Sequence, residues 1–62
     1  MPTPELSRAK VVRRLMAEGW INEGGGKHDV FRHPDRDVVF AVPRHRLLSP
    51  GVARALARIA GW

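Results

Sequence analysis

The 62-residue chain reads as a single α+β domain with the order α-β-β-β-α. Three observations predict this class. Apolar residues recur at helical spacing near both ends, each set preceded by a serine and followed by a glycine. Between them lie short runs rich in Val, Ile, Phe and Trp. Glycine and proline clusters, Gly24–Gly26 and Pro34–Asp37, punctuate those runs. Residues 1–62 leave no room for a second domain, and a chain this short buries only about 60% of its unfolded surface.

Met1 to Leu6 forms an arm with two prolines and is expected to be extended. Ser7 is an N-cap, with Leu6 and Val11 placed to staple across it. Arg8 to Glu18 reads as a helix whose apolar stripe is Val12, Leu15 and Met16, with Val11 at its edge. Lys10, Arg13 and Arg14 fall at i, i+3, i+4 and share a basic face. Gly19 stands where a left-handed cap is wanted.

Trp20-Ile21-Asn22 reads as a first strand, Gly24 to Gly26 as a loop, and Lys27 to His33 as a second strand. Pro34-Asp35-Arg36-Asp37 is a turn, and Val38 to Val42 is a third strand ended by Pro43. The short link between the two longer strands argues for an antiparallel hairpin. Ser49 followed by Pro50 opens a second helix with Val52, Ala53, Leu56, Ile59 and Ala60 inward and Arg54 and Arg58 outward, closed by Gly61.

Strand alternation assigns the faces. Phe31 is the bulkiest apolar residue of the second strand and should face the helices, which sends His28, Val30 and Arg32 to an open face. Val38, Phe40 and Val42 share one parity and are expected in the core. Burial is the expected use of Trp20 and Trp62 in so small a core.

Eleven Lys and Arg against six Asp and Glu give a net charge of +5, and nine of the eleven are arginine. Arginine's planar fork suits bidentate phosphate contacts. The balance points first to a nucleic-acid or ribosome binder and second to a partner of an acidic protein. There is no cysteine, hence no disulfide and no thiolate metal site. The N-terminus has no apolar signal region and no run approaches membrane length, which reads as a soluble intracellular protein.

The chemistry concentrates where the glycine loop becomes a strand, Gly24 to Pro34. Imidazole titrates near neutrality, so it can both take and give a proton. Lys27 and the glycine amides, Gly26 among them, stand beside His28 and could hold a phosphate. Those parts suffice for metal-independent RNA cleavage: a base takes the 2′-hydroxyl proton, cations steady the phosphorane, and an acid protonates the leaving 5′-oxygen. The cluster Arg44-His45-Arg46 follows the third strand and could bring further cations and a helper imidazole. His33 has the opposite parity and precedes a turn proline, so it reads as structural. Parity separates His28 from His33 and no helical His-x-x-x-His pair exists, so the spacing offers no zinc site. Ser7 and Ser49 are better explained as caps than as nucleophiles.

Gly26-Lys27-His28, Phe31-Arg32-His33-Pro34, Val42-Pro43-Arg44-His45 and Leu48-Ser49-Pro50-Gly51, in this order and spacing, resemble the HicA-type (YcfA-like) toxins from about Leu6 to Gly61. The resemblance implies a fold like a double-stranded-RNA-binding domain, with both helices on one face of a three-stranded antiparallel sheet. It implies translation-inhibiting mRNA cleavage without a cofactor, with the residue matching His28 catalytic. It also implies a HicB-type antitoxin partner and a bacterial or archaeal, cytoplasmic setting. The family often carries serine where Lys27 stands. An alternative on the same fold is a non-catalytic RNA-binding module that uses Lys10, Arg13, Arg14, Arg54 and Arg58 to read shape and phosphate. A DNA-binding helix-turn-helix is disfavoured, because strands separate the two helices.

Overall fold

A computed structural model describes residues 4–62. The extended arm expected at Met1 to Leu6 lies partly outside them; Pro4 to Leu6 are free of helix. The order is α1 (Arg8–Ala17), β1 (Ile21–Asn22), β2 (His28–Arg32), β3 (Val39–Pro43) and α2 (Pro50–Ala60). The sheet is antiparallel with β2 in the centre, and Phe31 faces Phe40 in the β2–β3 register.

Local chemistry fixes the ends of each element. The Ser7 hydroxyl accepts from the Lys10 N–H and the Ser49 hydroxyl from the Val52 N–H, so both helices start at a serine cap. α1 stops one residue earlier than its apolar spacing suggests, with Glu18 as the cap. Gly19 (φ 95°) then takes the left-handed conformation, Trp20 N–H reaches back to the Leu15 carbonyl, and Gly19 N–H to that of Met16. At the β2–β3 link the His33 carbonyl accepts from Arg36 N–H, with Pro34 at the first central position of the turn.

One cluster forms the core: Val11, Leu15, Trp20, Phe31, Phe40, Val42, Leu48, Ala53, Leu56 and Ala60. It draws on both helices and on one face of the sheet, so the opposite sheet face is uncovered. Phe31 stacks on Phe40 (centroids 5.9 Å apart), and Trp20 meets Phe40 edge-on (4.8 Å). One inward assignment moves. Met16 is exposed (55%), because Val11 and Leu15, one turn apart, take the centre of the α1 stripe. Val38 precedes β3 and, half-buried like Val12, Val52, Ile59 and Trp62, packs against the edge of the cluster.

His33 is tied down as a turn residue. Its Nδ1 accepts from Asp35 N–H (3.0 Å), which leaves the proton on Nε2 to donate to the Glu18 carbonyl (3.0 Å). Glu18 also receives the Trp62 indole N–H (2.7 Å) and Arg14 (3.2 Å), and Arg14 lies 4.2 Å from the Trp62 ring centroid. The Trp62 bond, helped by Arg14 against a desolvation penalty, holds the Glu18 carboxyl below the usual range.

Asp29 is the one charged side chain in the buried set among the described residues (7% exposed). It shares the inward parity of Phe31 and is held by Arg8 at the start of α1 and by Arg44 just after β3 (2.8 Å). Arg8 also donates to the Pro43 carbonyl (3.0 Å). The bonds from Arg44, then the charges of Arg44 and Arg8, outweigh desolvation and hold the Asp29 carboxyl below its ordinary value.

Two predictions follow from this packing. Phe31→Ala should cost about 3–5 kcal/mol, a third or more of the roughly 3–9 kcal/mol that a chain this short has. Exposed Val39→Ala should stay within about 0.5 kcal/mol; urea titration followed by circular dichroism compares them. Because its folded pKa is depressed, Asp29 stabilises the fold fully above the ordinary carboxylate pKa of about 4 and progressively less as pH falls through the folded value. Asp29→Asn should therefore be less stable than the wild type at pH 7, with the gap narrowing as pH falls below the ordinary carboxylate value; a gap unchanged across that range would contradict the role given to the ion pairs.

Candidate functional site

Four segments meet at one corner of the sheet. His28 opens β2 and is paired with Pro43, the last residue of β3. Arg44 to Arg46 leave from Pro43. The start of α1 lies against this departing segment, since Arg8 N–H donates to the Arg46 carbonyl (3.1 Å) and Leu48 N–H to that of Leu6 (2.7 Å). The glycine loop enters from the other side. Its first turn is set by Asn22, whose Oδ1 accepts from Gly24 N–H (2.8 Å), and by Val30 N–H bonding the Gly24 carbonyl (2.9 Å). Gly25 (φ 147°) passes so close to the His28 carbonyl that a Cβ there would collide with it. Gly26 has open space around it and an ordinary backbone.

β2 alternates strictly: Asp29 and Phe31 face in, while His28 and Arg32 are exposed and Val30 half-exposed on the other side. The imidazole of His28 therefore stands on the uncovered face, as its parity predicts. Lys27 precedes it and His45 and Arg46 lie two and three residues past its partner Pro43; all three are exposed, and Lys27 and Arg46 make no ion pair among the described residues. Arg44 differs, because its guanidinium is engaged by Asp29 and by the Gly25 carbonyl (3.0 Å). On the same face Arg32 pairs with Glu23 (3.0 Å). The register lines up Ile21, Arg32 and Val39 in one row and Val30 with Ala41 in the next, so exposed Ile21, Val39 and Ala41 and half-exposed Val30 surround the Arg32–Glu23 pair on this face.

The helix cations lie in the other layer. Lys10, Arg13, Arg54 and Arg58 are exposed on helices that cover the far side of the sheet. Arg14 is drawn off by Glu18 and Trp62. The structure thus gathers Gly26, Lys27, His28, Arg44, His45 and Arg46 at one corner and leaves the helix set apart from it. Among the described residues no three His, Cys, Asp or Glu side chains come together as a metal site, and no helix is long and apolar enough to cross a membrane.

The burial of Asp29 is what the sequence reading missed. Its signal was present: Asp29 stands two before Phe31, so the alternation that buries Phe31 buries a carboxylate too. A buried charge requires partners, and Arg8 and Arg44 supply them.

Compared with known families, residues 8–62 match the model described as the HicA toxin of bacterial toxin-antitoxin. No curated protein and no solved structure matches the chain. The family match takes in every helix and strand together with the His28 corner, and the chain belongs to the HicA toxin family, whose members act as toxins opposed by a cognate antitoxin.

Proposed function

We propose that this toxin is a metal-independent endoribonuclease that cleaves mRNA and so halts translation, with His28 as its general acid/base. The observation that carries the reading is the exposed imidazole at the loop–strand corner, on the uncovered sheet face, next to Lys27 in the chain and paired with Pro43, from which the Arg44–Arg46 segment leaves. His28 takes the proton of a ribose 2′-hydroxyl. The 2′-oxygen forms a bond to the adjacent phosphorus, and the bond to the 5′-oxygen breaks after that oxygen receives a proton. Lys27, Arg46 and the Gly26 N–H face the charge that builds on the phosphorane. His45 is the candidate for the second proton transfer. The products are a cyclic 2′,3′-phosphate and a free 5′-hydroxyl.

An antitoxin of the HicB type would cover His28 from the same face, meeting the apolar side chains Ile21, Val30, Val39 and Ala41 that surround the Arg32–Glu23 pair. The site of action on this reading is the cytoplasm, where mRNA and the antitoxin meet.

The non-catalytic alternative would rest on the helix cations, which lie on the side away from His28. Expression of the wild type in a bacterial host should arrest growth and fragment transcripts, and His28→Ala should lower purified cleavage by about 10²–10⁴-fold with the fold intact by circular dichroism. Activity should persist in EDTA, with cyclic phosphate at the new 3′ ends. Undiminished toxicity of His28→Ala would remove the catalytic assignment. Tight RNA binding without cleavage, lost on replacing Arg54 and Arg58, would favour the binding module.

A further inference from the structure

We propose that Arg44 is a positioning residue, which with Asp29 fastens the glycine loop to the sheet and so fixes where Lys27 and His28 meet the substrate. The proposal rests on the nuclease reading for its consequence, though its geometry does not.

Sequence reasoning placed Arg44 among the phosphate contacts. The structure gives its guanidinium other work. Nε and Nη2 donate to Asp29 Oδ1 at 3.1 and 2.8 Å, and Nη2 also donates to the Gly25 carbonyl at 3.0 Å. The second oxygen of Asp29 is held by Arg8. One buried carboxylate thereby joins the start of α1, the centre of the sheet and the segment after β3, and Arg44 extends that junction to the loop.

The loop needs such an anchor. Three consecutive glycines lose more backbone freedom on ordering than any other tripeptide. Asn22 and Val30 hold Gly24, but the chain must still cross Gly25, Gly26 and Lys27 before β2 begins at His28. The Arg44 bond to Gly25 lies in that gap. Gly25 itself lies so close to the His28 carbonyl that no side chain fits there. A guanidinium turned toward RNA would give up both partners, leaving Asp29 with Arg8 alone and the Gly25 carbonyl bare. Arginine is suited to this role because its planar fork reaches two acceptors at once, which a lysine ammonium does not do at fixed geometry.

The test compares the full-length wild type with Arg44→Ala and Arg44→Lys in three measurements. These are amide hydrogen exchange at residues 25–28, cleavage at saturating RNA, and affinity for an uncleavable RNA with a 2′-deoxy linkage as salt is varied. The expected result for both variants is loop exchange faster by about tenfold or more, with Leu15 and Phe31 unchanged. Saturated cleavage should fall by at least about tenfold, with KM, affinity and salt slope within about twofold of the wild type. The proposal is overturned if Arg44→Ala keeps the loop protected, or if it weakens RNA binding and flattens the salt slope by about 0.7, the mark of one lost phosphate contact on a single strand. It is equally overturned if Arg44→Lys behaves as wild type, since charge alone would then suffice. Should the wild type cut no RNA, the nuclease reading falls, and exchange and affinity still decide the role of Arg44.

Discussion

The alternation of one five-residue strand governs this molecule. β2 is the central strand, and its side chains point by turns into the core and out to the open face. Phe31 is fully buried and cannot be turned outward without exposing the largest of the fully buried side chains. A one-residue slip of β2 would bury His28 and Arg32 and expel Phe31. The packing of Phe31 against Phe40 therefore does more than stabilise the fold: it dictates that position 28 is presented on the side the helices leave free.

The same alternation creates a problem at Asp29 and turns it into a junction. A carboxylate aimed at the core must be paired, and the two guanidinium groups that pair it come from distant points in the chain, the first residue of α1 and the segment after β3. That junction lies directly behind the histidine corner. The rigidity of the sheet is thus carried to the glycine loop, and the corner combines a backbone free to approach a ligand with a frame that does not give way.

Much of this was legible in the sequence. Serine caps, terminal glycines and the Pro34 turn located the elements, because each acts through local backbone chemistry that needs no tertiary partner. The faces of β2 followed from the size of Phe31 alone, and the structural role of His33 followed from its parity and its proline. What could not be read depended on distant partners. Met16 and Val11 stand at opposite edges of one apolar stripe, and only the seating of α1 on the sheet decides which is covered. Arg14 and Arg44 look like free cations until Glu18, Trp62 and Asp29 come within reach. The catalytic assignment of His28 rests on accessibility and charge around it, together with the family to which the chain belongs.

The most direct measurement is a map of where RNA touches the protein, made by NMR with the full chain and a short 2′-deoxy-blocked RNA. Shifts concentrated at Lys27, His28, Val30, Ala41 and His45 would place the substrate across the open face at the corner, as this account predicts. Shifts confined to Lys10, Arg13, Arg54 and Arg58, with the His28 ring unmoved, would put the RNA on the helical side and contradict it.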